Sequence, residues 1–219
     1  MFNLKAYAYL IAFLLILTQC SDTKLMTPET EGEKLQILYS NAIELVRKKD
    51  FVDAAILFED IERQYPYSKW SNLAQLLTAF CYFKSQMHEE SIDALERFIA
   101  LYPSSKKISY AYYLRALNYF EQIKDVERDQ SLTAKSKQAF YEVVNRYPES
   151  EFADDAYEKI DIINDRLAAK EIVIARYYQF NHQWISAINR YNKILREYVT
   201  SVYTEEALHR LVEIYLSLG

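Results

Sequence analysis

The chain of 219 residues has only two glycines, four prolines, two cysteines and three histidines. With Gly32 and Gly219 alone, no Gly-rich phosphate loop can be built, and hairpin turns have little material. His88, His182 and His209 are isolated, none flanked by metal-ligand spacing. Cys20 and Cys81 do not make a disulfide scaffold. A net charge of −5 shows no basic excess and speaks against a nucleic-acid binder. The adjacent acids Glu89-Glu90 and Asp154-Asp155 point in different directions on a helix and read as solvated surface. No catalytic constellation, metal site or cofactor loop emerges, and the chain reads as non-enzymatic.

Apolar residues are plentiful at 51%, and 20 tyrosines suit half-buried helix faces with a polar tip. The first twenty residues stand apart. Lys5 is their only charged side chain, and Ala6–Leu17 is an unbroken apolar run of twelve. That is short for a membrane span and right for a signal h-region. The run ends in Leu17-Thr18-Gln19-Cys20, which resembles a bacterial lipobox, with Gln19 where a small residue is usual. This implies cleavage before Cys20 and a covalent lipid on that cysteine. Ser21, rather than Asp, follows it, which by resemblance favours sorting to the outer membrane. The expected organisation is a signal peptide over 1–19, an acylated cysteine and flexible tether over 20–32, and one folded domain over 33–219. Cys81 lies in an apolar helical stretch and reads as a small core residue.

Within the domain one ending recurs: Tyr65-Pro66-Tyr67-Ser68, Tyr102-Pro103-Ser104-Ser105, Tyr147-Pro148-Glu149-Ser150, and a worn copy, Tyr198-Val199-Thr200-Ser201. The tyrosines are 37, 45 and 51 residues apart. Proline cannot continue a helix and steers the preceding residue away from helical dihedrals, so each copy is a helix stop. The periodicity predicts helices over 33–49 and 50–65, 69–86 and 87–102, 107–124 and 132–147, then 184–198 and 204–218. Residues 151–181 hold no Pro or Gly and read as one long helix, or as two broken near 165–168. Asp50 is placed to cap the second helix. The charged stretch Asp125–Ser131 absorbs the eight extra residues of the third spacing.

Counting back from each proline, set at position 32 of a 34-residue unit, brings small residues into step. Position 8 is Ala42, Ala79, Ala116 and Ala175, allowing for the insertion and with Val199 as proline surrogate. Position 20 is Ala54, Ser91, Ser136 and Ala187, whereas position 24 is Phe58, Leu95, Phe140 and Tyr191. This resembles the tetratricopeptide repeat. The expected fold is all-α: a superhelical solenoid of tetratricopeptide helix pairs, four full repeats plus a partial fifth. The last helix, with Leu208, Leu211 and Tyr215, would expose part of its apolar side, as in a truncated relative of a longer protein or a helix that docks differently.

In such a stack, positions 2, 5, 9 and 12 usually face a concave groove. Here they supply Tyr39 and Ile43, then Leu73, Leu76, Phe80 and Phe83, then Tyr110, Tyr113, Leu117 and Phe120. Several of these could equally pack on neighbouring helices. As a groove they would suit an extended or helical peptide with aromatic anchors.

Stretches outside the generic repeat carry a narrower resemblance. They are Arg97-Phe98-Ile99 before Leu101-Tyr102-Pro103, Tyr112-Tyr113-Leu114-Arg115-Ala116-Leu117, the charged Asp125–Gln130 stretch, Asp165-Arg166-Leu167-Ala168, and Asn189-Arg190 leading to Leu195-Arg196-Glu197-Tyr198. With the lipobox, they make the chain similar to the BamD (ComL) family of outer-membrane assembly lipoproteins. The resemblance implies a periplasmic module lipid-anchored to the outer membrane, without cofactor. Its partners would be the POTRA domains of BamA, other BAM lipoproteins, and C-terminal targeting segments of unfolded outer-membrane proteins. It makes Arg190 a candidate for a charged contact with BamA. A periplasmic tetratricopeptide scaffold of the CpoB type in envelope constriction is the alternative, and an enzyme using the repeats as scaffolding a more distant one. Replacing Cys20→Ser is expected to abolish incorporation of labelled palmitate in cells; labelling that persists would rule out acylation at this cysteine.

Overall fold

The computed structural model describes residues 30–123 and 130–219. Cys20, the expected signal peptide and tether up to residue 29, and the charged stretch over 124–129 lie outside the described residues. The chain divides into two units, Met1–Ile37 and Leu38–Gly219.

Among the described residues there are nine α-helices and no strand: α1 (Glu31–Arg47), α2 (Phe51–Gln64), α3 (Ser71–Lys84), α4 (His88–Leu101), α5 (Ile108–Glu121), α6 (Gln130–Arg146), α7 (Ala153–Phe180), α8 (Trp184–Glu197) and α9 (Thr204–Leu218). In the first unit, Thr30 and Glu33 open α1 reciprocally. The Thr30 amide donates to Glu33 Oε2 at 2.8 Å, and the Glu33 amide donates to Thr30 Oγ1 at 3.3 Å, which is a capping box.

In the second unit, each helix from α2 onward packs against the next, and α3 also touches α5. This sequential packing is that of a helical repeat. The register drawn from sequence coincides with burial. Ala42, Ala79, Ala116 and Ala175 are fully buried, as are Ala54, Ser91, Ser136 and Ala187, and so are Phe58, Leu95, Phe140 and Tyr191. Small side chains let the backbones approach, and large ones fill the space left between helices. Ser91 shows how close the approach is: its Oγ donates to the Ala79 carbonyl at 2.8 Å across two helices.

Two turns alternate along the unit. The first joins the helices of a pair and is a Schellman closure. The Asp50 amide donates to the Leu45 carbonyl at 2.9 Å, Met87 to Tyr82 at 2.9 Å, and Gln183 to Tyr178 at 2.9 Å. Each turn puts a residue in the left-handed region: Lys49 at φ 63°, Gln86 at 61° and His182 at 55°. The second turn is the Tyr-Pro ending. The amides of Ser68, Ser105, Ser150 and Ser201 donate to the carbonyls of Tyr65, Tyr102, Tyr147 and Tyr198 at 2.9–3.0 Å. The worn copy with Val199 makes the same bond, so the turn tolerates loss of the proline.

Three details differ from or sharpen the sequence reading. Asp50 occupies the N-cap of α2 but makes no side-chain cap bond, because its backbone is committed to the Schellman turn. The stretch over 151–181 is one helix, α7, of 28 residues, roughly 42 Å long at 1.5 Å per residue. Asp155 is half-buried rather than solvated, accepting from Tyr113. Cys81 is fully buried, and burial pushes its thiol up to about 12. On α9, Ala207, Leu211 and Ile214 are buried, whereas Leu208, Val212, Tyr215 and Leu216 are exposed.

Glycine at the left-handed positions relieves a Cβ clash. Each of Lys49→Gly, Gln86→Gly and His182→Gly is expected to stabilise the fold by roughly 0.5–1 kcal/mol in urea unfolding. Ala79→Leu is expected to destabilise by roughly 1–3 kcal/mol through overpacking; a neutral result would mean that α3 and α4 are not held at this contact.

Candidate binding groove and basic helix face

The first site is built by α3 and α5, which lie side by side, together with the turn leading into α7. Leu73, Leu76 and Phe80 come from α3 at helical spacing. Tyr110 comes from α5, and Phe152 immediately precedes α7. They line one cavity of about 380 Å³, with Lys106, Lys107 and Glu151 at its edge. A second cavity of about 350 Å³ shares Leu73, Leu76, Lys106 and Lys107 and adds Lys69. The wall is aromatic: Tyr110 lies 5.3 Å from Phe152, and Tyr113 stacks on the other flank of that region at 5.0 Å from the same ring. Burial pushes the Tyr110 hydroxyl up to about 12, and it stays protonated and neutral. Burial and the hydrogen bond to Asp155, 2.5 Å long, raise Tyr113 as well. The floor is apolar and neutral, and the charge lies at the rim, where Lys106 and Lys107 stand with Glu151.

The ten groove candidates do not all meet there. Leu73, Leu76, Phe80 and Tyr110 share the cavity. Tyr39 packs on Trp70 at 4.6 Å and on Phe58 at 5.8 Å. Ile43 is half-buried. Phe83 faces the His88 ring at 6.1 Å, and Leu117 packs against the core. Phe120 lies 6.0 Å from Phe140, with the Lys159 and Arg166 cations over its ring. Tyr113 is tied to Asp155 and Phe152 behind the cavity wall. Phe152, Lys106 and Lys107 escaped the sequence reading. All three follow a Tyr-Pro ending by three or four residues, and that shared offset is the signal that could have found them.

The second feature is the face of α8. Arg190, Lys193 and Arg196, with Tyr178 of α7, line a cavity of about 330 Å³. Glu171 of α7, almost fully buried, accepts from Lys193 at 2.7 Å and from Arg190 at 2.9 Å. Burial pushes the Glu171 carboxyl up, but the hydrogen bonds from Lys193 and Arg190 outweigh it and hold it below its ordinary value of 4.5. Arg190 is therefore clamped from below while its outer edge meets solvent. Among the described residues no group of His, Cys, Asp or Glu is placed to hold a metal ion, and no helix is long and apolar enough to cross a membrane.

These features define a helical-repeat protein with an apolar, aromatic-walled cavity. The family described as outer membrane lipoprotein (YfiO) matches residues 32–219. Outer membrane protein assembly factor BamD of Caulobacter vibrioides is 42% identical over 189 residues, covering 86% of this chain and 62% of that protein. The protein of the same name from Rickettsia prowazekii is 41% identical, covering 83% of this chain and 72% of its own length. That of Neisseria meningitidis serogroup A is 32% identical over 87% of this chain. The chain belongs to the BamD family. It spans less than two thirds of the length of the Caulobacter relative.

Glu171 gives a pH signature. Its folded value is depressed, so its stabilisation is complete above 4.5 and is lost as pH falls through the lower folded value. Glu171→Gln is expected to cost about 1–2 kcal/mol at neutral pH, because two cations lose a charged acceptor. It should also flatten the acid limb of the stability curve. An unchanged acid limb in urea titrations between pH 3 and 7 would show that the clamp contributes nothing.

Proposed function

We propose that this chain is a non-enzymatic component of outer-membrane protein assembly, holding unfolded β-barrel precursors by their C-terminal segments. On this reading the helix pairs form a tetratricopeptide solenoid of four repeats and a partial fifth, lipid-anchored through Cys20 on the periplasmic side of the outer membrane. BamA, through its POTRA domains, and other BAM lipoproteins are its partners.

The observation that carries the reading is the cavity between α3 and α5. Its apolar, aromatic lining fits a terminal aromatic side chain, and 380 Å³ is the size of a single large residue with its backbone rather than a folded domain. Lys106 and Lys107 line both cavities and Lys69 the second, against the single acid Glu151 in the first, and no ion-pair partner holds these lysines among the described residues. A free terminal carboxylate beside an aromatic ring matches that arrangement of charge and apolar surface. Family membership supports the assembly role, since the relatives carry that description by name.

Arg190 is the candidate BamA contact. Its reversal to Glu would set a second carboxylate against buried Glu171, so Arg190→Gln is the cleaner variant.

A peptide ending in phenylalanine is expected to bind the mature chain, with affinity falling roughly tenfold on amidation of its terminus. Phe80→Asp should abolish binding of both forms. Equal affinity for free and amidated peptides would remove the carboxylate from recognition, and binding by neither would overturn the groove reading. In pull-downs with POTRA domains, Arg190→Gln should weaken retention while Lys106→Gln leaves it intact.

A further inference from the structure

Away from the groove, a cavity of about 430 Å³ opens between α6, α7 and α8. Lys137 enters from α6, Lys170 from α7 and Lys193 from α8, with Tyr198 closing one wall. The charges of this site are unevenly settled. Lys193 is committed to Glu171 at 2.7 Å, and Glu171 is saturated by Lys193 and Arg190 together. Lys137 and Lys170 are both half-buried, and neither has an ion-pair partner among the described residues. The Lys137 ammonium instead lies 5.2 Å from the centre of the Tyr198 ring. Burial lowers the basicity of Lys137, and the charge of Glu197 offsets this only in part. A half-buried ammonium with no carboxylate at ion-pair distance is incompletely compensated, because its lost hydration is not fully replaced. Two of them facing one open space make a site that a negative group would complete.

The remaining lining narrows the guest. Leu167, Ala134 and the Tyr198 ring give it an apolar wall, and Glu171 and Glu197 stand on the α7–α8 side. Two carboxylates on the same lining disfavour a doubly charged phosphate more than a singly charged carboxylate on an apolar stem. We propose that this cavity is a second binding site, independent of the α3–α5 groove, for an acidic side chain of a polypeptide partner, held between Lys137 and Lys170.

The test uses the mature chain and a capped, fluorescein-labelled, glutamate-rich dodecapeptide. Saturable shifts of the Lys137 and Lys170 side-chain NMR signals are expected. Binding by anisotropy should weaken about tenfold in Lys137→Gln/Lys170→Gln, as for loss of a charge-assisted contact, and survive in Lys137→Arg/Lys170→Arg. Lys34→Gln/Lys48→Gln, at exposed lysines outside both sites, should change it less than about twofold if the effect is local. Equal weakening by both glutamine pairs, or no saturable shift at Lys137 and Lys170, overturns the site. Saturation by inorganic phosphate, or by phosphatidylglycerol vesicles, in place of the peptide overturns the polypeptide assignment in favour of a phosphate or lipid ligand. Thermal unfolding of the Lys137→Gln/Lys170→Gln variant should show no large loss of stability, since neither lysine is in an ion pair among the described residues; a large loss would mean that the lysines are structural.

Discussion

Close approach of adjacent helices is the constraint on which the rest of this molecule depends. The small residues that the repeat register brings into step are wholly shielded: Ala42, Ala79, Ala116 and Ala175 in one set, Ala54, Ser91, Ser136 and Ala187 in the other. Backbones at that separation need a large residue nearby to fill the diverging space, and Phe58, Leu95, Phe140 and Tyr191 do so. Because the contact is local, each pair depends on the next rather than on one central core, as in repeat arrays generally.

The turns are subordinate to that packing. Three pair-closing turns hold Lys49, Gln86 and His182 in a backbone region that glycine occupies more easily. The strain is tolerated because the Schellman bonds and the buried faces on either side over-determine the turn. The Tyr-Pro ending works by a different balance. Proline ends the helix before it, yet the serine amide to tyrosine carbonyl bond persists at Val199, where no proline helps. Proline sharpens this turn, and the tyrosine and serine bond define it.

The repeat was legible in the sequence because burial at a helix crossing selects residue size, and size leaves a period. The groove was legible only in part. Leu73, Leu76, Phe80 and Tyr110 lie on the inward faces of α3 and α5, where the period puts them, and they converge. Tyr39, Phe83, Phe120 and Tyr113 obey the same period but find partners closer at hand, in Trp70, His88, Phe140 and Asp155. Period gives direction around a helix, not which neighbour reaches that face first. The lysines of both sites were not legible at all. Lys106 and Lys107 lie in a turn and Lys137 and Lys170 on separate helices, so their charge gathers only when the chain folds. Asp155 had the same difficulty, as an acid beside another acid that proved to face Tyr113.

Helix α7 runs without a break from the wall of the aromatic groove to the Glu171 clamp. From Asp155 to Glu171 is sixteen residues, or about 24 Å of helix axis. A continuous α-helix resists bending far more than a pair of helices joined by a turn. The Asp155 and Glu171 ends are therefore held at a fixed spacing by one stretch of hydrogen-bonded backbone. The fold thereby spans the aromatic cavity and the Glu171 clamp with one unbroken helix, where the other elements are joined by turns.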